Sequence, residues 1–239
     1  MVTRVDQLKI KIFADGADKL GMLEMSQKPF IKGFTTNPTL MNKVGIKDYR
    51  AFALDILKAI INHPISFEVF SDEIEEMELQ AMEIASWGSN VYVKIPITNT
   101  KREATYPLVR NLTERGVKIN VTAMMTLEQV RDIVKNVSKE TPYVISIFAG
   151  RIADTGIDPI PLMTSALSMM KETPKGELLW ASPRELLNIF QADEIGCHII
   201  TVTNDLLKKL TLVGYDLNDY SLDTVKMFYN DAQQAGFKI

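Results

Sequence analysis

The sequence predicts an α/β protein folded as a single closed (β/α)8 barrel, with one further helix at its carboxyl end. Eight short apolar runs alternate with amphipathic segments, the pattern of a parallel sheet flanked by helices. Several runs are nearly continuous in apolar and β-branched residues, as in strands covered on both faces. Eight repeats favour a closed barrel over an open, doubly wound sheet, which shares the alternation.

The apolar runs define the predicted strands in chain order. Each has the length of an ordinary strand and is separated from the next by enough residues for a helix. The predicted strands span residues 8–14, 31–35, 65–70, 91–97, 117–122, 143–148, 177–181 and 197–202.

Helical periodicity and end signals mark the segments between the strands. Apolar residues recur at helical spacing in 76–86 and 127–137. Thr126 with Gln129, and Ser182 with Glu185, have the spacing of capping boxes, and Pro183 stands where a first helical residue is favoured. Gly116 is placed to end the helix before the fifth strand. These signals predict helices that begin after Thr126 and after Ser182.

The chain reads as one domain over residues 1–239, with a helical extension over 213–239. No linker or low-complexity tract divides it. An amphipathic segment at about 222–234 exceeds the eight strand–helix units. We expect it to cap the barrel or to pack on a neighbouring subunit.

Composition narrows the class of protein. Apolar residues make up 46% and charged residues 24%, which is typical of a globular domain, and the formal net charge is -3. This charge argues against nucleic acid or an anionic membrane as partners. The only cysteine, Cys197, can form no intrachain disulfide, and neither a signal peptide after Met1 nor a long apolar stretch is evident. We therefore expect a soluble, cytoplasmic protein.

Polar residues interrupt or follow the predicted strands near their carboxyl ends, where a barrel carries its active site. Every strand from the first to the seventh supplies at least one. Their convergence on one mouth predicts a polar site. These residues are Asp15, Thr35, Thr36, Asn37, Glu68, Lys94, Asn120, Thr122, Ser146, Arg151 and Ser182.

Lys94 is the most informative of them, because it stands between Val93 and Ile95 in an apolar strand. Burial disfavours the charged ammonium. A neutral amine can attack a ketone and form an iminium, an electron sink for carbon–carbon cleavage. The alternative is a structural lysine that reaches solvent or pairs with Glu68 or Asp15.

Schiff-base chemistry also requires proton transfers, for which Asp15 and Glu68 are candidates. Thr122 could bridge a water to Glu68, or could be present only for its β propensity. Asp15 could instead cap a helix that starts near Ala17.

Three further residues also have structural alternatives. Asn37, before Pro38, could be a turn residue, and Ser182 could be only a helix cap. Arg151 could pair with Asp154 on the surface.

Together these residues resemble the transaldolase family, including its short branch with the fructose-6-phosphate aldolases. The matching pieces occur in family order over residues 8–212. Thr-Thr-Asn-Pro and Val-Lys-Ile-Pro are specific in combination. The pieces are Phe13-Ala14-Asp15-Gly16-Ala17-Asp18, Thr35-Thr36-Asn37-Pro38-Thr39-Leu40, Phe67-Glu68, Val93-Lys94-Ile95-Pro96, Asn120-Val121-Thr122, Ser146-Ile147-Phe148-Ala149-Gly150-Arg151-Ile152 and Ala181-Ser182.

The resemblance implies a TIM barrel that moves a dihydroxyacetone unit between sugar phosphates without metal or organic cofactor. Lys94 would be the Schiff-base lysine, Asp15 the acid/base, and Glu68 with Thr122 would hold a water. The donor would contact Thr35, Asn37, Asn120, Ser146 and Phe148, and its distal phosphate Arg151, with Ser182 adding a hydroxyl and a helix amino terminus. It also implies a homo-oligomer, a pentamer or decamer by analogy.

Two positions bear on reaction type, and one loop departs from the family. Transferases of the family tend to carry Glu and Phe where this chain has Glu68 and Phe148, whereas the aldolases tend to carry Gln and Tyr.

Relatives often continue Ala-Ser-Phe with Arg or Lys after the seventh strand, but here Ser182 is followed by Pro183 and Arg184. The leading hypothesis is therefore a transaldolase. The alternatives are an aldolase releasing free dihydroxyacetone, a transaldolase for an unusual sugar, and a non-catalytic sugar-phosphate-binding barrel.

Overall fold

The computed structural model describes residues 4–239, in which eight parallel strands form a closed barrel. Each strand is hydrogen-bonded to its neighbours in sequence order, and the eighth pairs with the first. The predicted (β/α)8 fold is therefore confirmed. The strands are β1 Lys11–Asp15, β2 Ile31–Thr35, β3 Ile65–Glu68, β4 Val91–Pro96, β5 Ile119–Met124, β6 Tyr143–Ile147, β7 Gly176–Trp180 and β8 Ile199–Thr203.

Helices follow the strands and cover the outside of the barrel. They are α1 Lys19–Ser26, α2 Pro38–Lys43, α3 Tyr49–Ala59, α4 Ile74–Ser86, α5 Tyr106–Glu114, α6 Leu127–Asn136, α7 Ala149–Asp154, α8 Ile160–Met169, α9 Leu187–Glu194, α10 Asn204–Leu207 and α11 Leu217–Ala235. Short 3-10 turns lie at Val5–Gln7, Met170–Glu172 and Lys208–Leu212.

Strand side chains alternate between two apolar layers. The larger layer lies between barrel and helices and contains the outward side chains, Trp180 among them. A smaller cluster around Phe13, Val144 and Leu179 fills the inside of the barrel. Gly33 faces the Phe13 ring so closely that an added Cβ would lie 2.5 Å from it. Trp180 thus packs in the core, and the polar residues of the opposite strand face point into the barrel.

The strand ends differ slightly from those predicted. β1 begins at Lys11 rather than at residue 8, because the Lys9 and Ile10 N–H groups donate to the Asp193 carboxylate at 2.7 and 2.8 Å. β8 begins at Ile199, two residues later than predicted. β5 likewise begins two residues later than predicted, at Ile119, and β3 ends two residues earlier, at Glu68.

Two of the helix ends predicted from the sequence are confirmed. Thr126 and Gln129 form the predicted capping box at the start of α6. Gly116 follows the end of α5 with φ +81°, a left-handed conformation that glycine adopts without strain.

The prediction of a helix beginning after Ser182 is wrong, because α9 starts only at Leu187. Ser182 has a left-handed backbone, with φ 57°, and its side chain caps nothing. The Asn188 side chain instead accepts hydrogen bonds from the Arg184 and Glu185 N–H groups. Pro183 therefore lies in a loop.

The last helix, α11, extends beyond the predicted segment at both ends. Asp216 caps its amino end, and Gly236 ends it in a left-handed conformation. None of its residues is buried, although Leu222, Val225 and Phe228 are large and apolar. No helix within residues 4–239 is long and apolar enough to cross a membrane. Met1–Thr3, where the domain prediction begins, lie outside the described residues.

Candidate active site

A cavity of about 480 Å³ opens at the carboxyl ends of the strands. Ten predicted site residues line it: nine of the eleven polar residues at the strand ends, together with Phe148. The other two polar residues, Thr36 and Asn120, are buried and do not line the cavity. The barrel brings these residues together because the ends of parallel strands meet at one mouth. The ten are Asp15, Thr35, Asn37, Glu68, Lys94, Thr122, Ser146, Phe148, Arg151 and Ser182.

Lys94 lies at the centre of this site and is only 6% exposed. Register places it directly beside Glu68 on β3 and Asn120 on β5. Its Nζ lies 3.0 Å from the Glu68 carboxylate and donates to the Thr36 carbonyl oxygen at 2.9 Å. The side chain therefore does not reach solvent; of the pairings weighed from the sequence, the one with Glu68 is present.

Asp15, at the end of β1, is held in a hydrogen-bonded environment. The Thr35 hydroxyl donates to Asp15 Oδ1 at 2.7 Å. Burial raises the pKa of the Asp15 carboxyl above its usual value, although nearby Lys94 and the Thr35 hydrogen bond both oppose this. The reading of Asp15 as a helix cap is wrong, because α1 starts at Lys19 and is capped by Asp18. A buried carboxyl with a raised pKa is a stronger base than an exposed one and is suited to take up and return a proton.

Thr201 on β8 is a site residue that the sequence reasoning missed. Its hydroxyl contacts that of Thr35, and its side chain lines the cavity. Threonine is common in strands, so its presence alone gives no signal. Its spacing of two from inward-facing Ile199 could have revealed it.

Asn120 belongs to a chain of buried polar groups below Lys94. Ser146 donates to its Oδ1 at 2.6 Å, while its Nδ2 donates to the Ser66 hydroxyl at 3.1 Å. The chain fixes the Ser146 hydroxyl at the floor of the cavity, where it can meet a polar ligand.

Thr122 carries a buried hydroxyl with no hydrogen-bond partner within residues 4–239. The next residue, Ala123, has a left-handed φ of 62°, and the pairing of β5 with β6 is irregular between Val121 and Met124. An irregularity of this type redirects side chains at the end of a strand. A buried hydroxyl without a protein partner at the cavity wall is available to a water or a ligand group.

Asn37 lines the cavity and also caps α2. Its Oδ1 accepts from the Leu40 N–H at 2.9 Å, and Pro38 is the first helical residue. The capping bond fixes the side chain and leaves the amide NH2 as the group that can meet a ligand.

Arg151 is the basic residue of the cavity wall. Its guanidinium lies 5.2 Å from the centre of the Phe148 ring, which is a cation–π contact. The alternative pairing of Arg151 with Asp154 is wrong: Asp154 pairs with Arg184, whose Nε lies 2.9 Å from the carboxylate. Arg184 does not line the cavity, which leaves Arg151 to meet an anion.

The predicted placement of Ser182 at a helix amino terminus is wrong, for the reason given above. Ser182 instead lies against α7. The Gly150 N–H donates to the Ala181 carbonyl oxygen, and a Cβ added to Gly150 would lie 1.5 Å from the Ser182 carbonyl oxygen. The close approach of α7 and the loop after β7 places Ser182 at the cavity edge beside Arg151.

Solved structures show the same architecture in proteins of distant sequence. A candidate lyase/mutase from Burkholderia cenocepacia J2315 superposes with a TM-score of 0.60 at 10% identity, covering 96% of this chain and 85% of that one. KGPDC from Streptococcus mutans has a TM-score of 0.57 at 8% identity, covering 84% and 90%. Identities this low show the fold alone.

Sequence comparison is more specific. A "Probable transaldolase" of Thermoanaerobacter sp. (strain X514) is 31% identical over 231 residues, covering 96% of this chain and 100% of the relative. A "Probable transaldolase 2" of Listeria monocytogenes serovar 1/2a is 33% identical over 202 residues, covering 84% and 88%. The model of the family described as Transaldolase/Fructose-6-phosphate aldolase matches residues 12–239. The chain therefore belongs to the transaldolase/fructose-6-phosphate aldolase family of enzymes.

Proposed function

We propose that this protein is a transaldolase, which transfers a dihydroxyacetone unit from a ketose phosphate to an aldose phosphate through a Schiff base on Lys94. The observation that carries the proposal is a buried lysine amine, 3.0 Å from the Glu68 carboxylate, at the floor of a polar cavity. A buried lysine that can pass a proton to an adjacent carboxylate supplies the neutral amine that attacks a carbonyl carbon.

In the first half of the reaction, the Lys94 amine adds to the C2 carbonyl of the donor. Glu68, 3.0 Å from Lys94 Nζ, takes up the proton that frees the amine and returns it to the carbinolamine hydroxyl, which leaves as water as the iminium forms. The C3–C4 bond then breaks: its electron pair moves into the iminium, the C4 hydroxyl proton passes to Asp15, and the aldehyde leaves. Burial raises the pKa of Asp15, which makes its carboxylate a stronger base for this proton.

In the second half, the enamine on Lys94 attacks the aldehyde carbon of the acceptor, and Asp15 returns its proton to the new hydroxyl. Water then adds to the iminium and releases the new ketose. The unpaired Thr122 hydroxyl and the Glu68 carboxylate are the groups we propose to hold this water.

Donor binding is assigned to the polar groups around the lysine. Asn37, Ser146, Thr35 and Ser182 offer hydrogen bonds to hydroxyl groups, while Asn120 orients Ser146 from below. We assign the phosphate to Arg151, the cavity-wall guanidinium. Candidate donors are sedoheptulose 7-phosphate and fructose 6-phosphate, with glyceraldehyde 3-phosphate or erythrose 4-phosphate as acceptor.

Phe148 favours transfer over release of free dihydroxyacetone. Its ring lines the cavity and cannot donate a proton to the enamine. The enamine therefore waits for an acceptor aldehyde. The competing activity, an aldolase, would protonate the enamine and release dihydroxyacetone.

Product analysis separates the two activities. With fructose 6-phosphate and erythrose 4-phosphate, we expect sedoheptulose 7-phosphate to form, and with fructose 6-phosphate alone we expect little free dihydroxyacetone. Phe148→Tyr, which adds a hydroxyl at the same ring, should increase dihydroxyacetone release. Release by the wild type at the rate of transfer would refute the transaldolase assignment in favour of the aldolase. Activity only with another ketose would favour an unusual sugar.

We also propose that the protein assembles into a homo-oligomer through α11. The helix has no buried residue and exposes large apolar side chains, which a second copy would cover. We place the protein in the cytoplasm, a proposal supported by its single, buried cysteine.

A further inference from the structure

The strand pairing around Glu68 is interrupted on one side. Thr36 donates its N–H to the Ser66 carbonyl oxygen at 3.1 Å, as a parallel ladder requires. The next ladder bond would join the Glu68 N–H to the Thr36 carbonyl oxygen. That oxygen accepts from Lys94 Nζ instead, so β2 does not hold the Glu68 N–H.

The Glu68 carbonyl oxygen also lacks a donor on β2. Continuing the ladder by two residues reaches position 38, and Pro38 has no N–H to donate. Both backbone groups of Glu68 on this side therefore need other partners.

The Tyr49 hydroxyl satisfies both groups. It accepts from the Glu68 N–H at 2.8 Å and donates to the Glu68 carbonyl oxygen at 2.8 Å. One side-chain oxygen thus replaces the missing strand at the residue whose carboxylate holds Lys94.

The Tyr49 ring is itself fixed. It packs against Phe67 and Phe70 in edge-on contacts, with ring centres 6.3 and 5.6 Å apart, and against Trp87 at 5.8 Å. Burial raises the pKa of Tyr49 above its ordinary value of 10.0, so the hydroxyl keeps the proton that it donates.

We infer that Tyr49 is a positioning residue for the reaction: its hydroxyl fixes the end of β3 and thereby aims the Glu68 carboxylate at Lys94. The inference rests on the proposed function, because it gives Glu68 a role in Schiff-base chemistry. Tyr49 is outside the cavity lining and acts through Glu68 alone. Loss of its hydroxyl should therefore affect the chemical steps more than donor binding.

Tyr49→Phe tests this, because it keeps the ring packing and removes the hydroxyl. We expect kcat to fall about tenfold, with KM for fructose 6-phosphate changed less than about twofold. The rate of borohydride-trapped adduct formation should fall in parallel. Tyr143→Phe is the matched control: it removes another buried tyrosine hydroxyl, at the amino end of β6, and should leave kcat unchanged.

A double-mutant cycle distinguishes positioning from general loosening of the fold. In a Glu68→Ala background the carboxylate is absent, so Tyr49→Phe should slow adduct formation no further. An equal further slowing in that background, or a wild-type rate in Tyr49→Phe alone, would overturn the inference. If the wild type itself forms no adduct with either candidate donor, the proposed function fails, and the inference fails with it.

Discussion

At the scale of single residues, the ionisable side chains of the site differ in their burial and in the groups that they contact. Lys94 and Glu68 form a close pair, whereas Asp15 is bonded to a threonine hydroxyl. The raised pKa of Asp15 supports its proposed role as the group that takes up and returns a proton. This division suits a reaction in which one residue bonds to the substrate and another moves protons.

The Asp15 environment predicts a pH-dependent effect of Asp15→Asn on stability. Because the pKa of Asp15 in the folded protein is raised above its ordinary value of 3.8, ionised Asp15 destabilises the folded state. The variant should therefore have a larger free energy of unfolding than wild type above the native pKa. The gain should shrink as pH falls through that pKa and vanish below 3.8. Urea denaturation from pH 8 downward measures it.

The catalytic activity of Asp15→Asn is a second, independent measurement on this variant. Asp15→Asn should lower kcat about a hundredfold or more, because the amide cannot accept the C4 hydroxyl proton. A stability difference that does not change with pH would contradict the description of Asp15 as a carboxyl destabilised by burial.

Residue identities could be predicted from the sequence where a polar group breaks an apolar run. Lys94 and Glu68 stand out in this way, and both line the cavity. Thr201 does not, since threonine suits any strand. The role of Tyr49 is equally hidden, because its partners are backbone atoms of β3 and no motif encodes them.

At the scale of elements, the contact between α7 and the loop after β7 shapes the cavity edge. Gly150 lies in the first turn of α7 and touches the Ser182 carbonyl oxygen where any other residue would overlap it. The left-handed backbone of Ser182 belongs to the same contact. The pairing of Asp154 with Arg184 ties the loop to α7 a second time.

Gly150→Ala should therefore be strongly destabilising. A Cβ placed 1.5 Å from the Ser182 oxygen forces the two segments apart, at a cost of about 3 kcal/mol or more. Thermal unfolding followed by circular dichroism measures the loss. Gly16→Ala is the control: no atom lies within 4 Å of its added Cβ, so stability should change by less than about 1 kcal/mol. Equal melting temperatures for the two variants would contradict this packing.

This contact also explains why one helix start was mispredicted. Ser182, Pro183 and Glu185 have the spacing of a helix amino terminus, and local sequence favours that reading. The tertiary contact with Gly150 holds Ser182 in a conformation that excludes it, and the Asn188 side chain caps the chain later. The α6 cap, which is local, was predicted correctly.

At the scale of the whole molecule, strand order follows from the alternation of strands and helices, and closure is confirmed by the pairing of β8 with β1. The fold could be predicted because eight repeated units leave few other arrangements. The partner of α11 could not, because an amphipathic pattern shows that a face is to be covered without showing by what.

Truncation at Val213 tests whether α11 joins copies of the chain. We expect the full chain to be oligomeric by size-exclusion chromatography with light scattering, and a chain of residues 1–212 to have a lower mass. The barrel strands end at Thr203, so the truncated chain should keep the circular dichroism of the barrel. Equal numbers of subunits in the two chains would contradict a role of α11 in assembly.

The central claim is that Lys94 bonds covalently to the ketose. Its most direct test is borohydride reduction in the presence of fructose 6-phosphate, followed by peptide mass spectrometry of wild type, Lys94→Ala and Lys118→Ala. Lys118 lies elsewhere, bonded to the Ser89 carbonyl oxygen, and serves as the control. We predict a reduced three-carbon adduct on the Lys94 peptide of wild type and Lys118→Ala, and none in Lys94→Ala. A wild-type protein that gains no mass with fructose 6-phosphate or sedoheptulose 7-phosphate, or that gains it at another lysine, would contradict the claim.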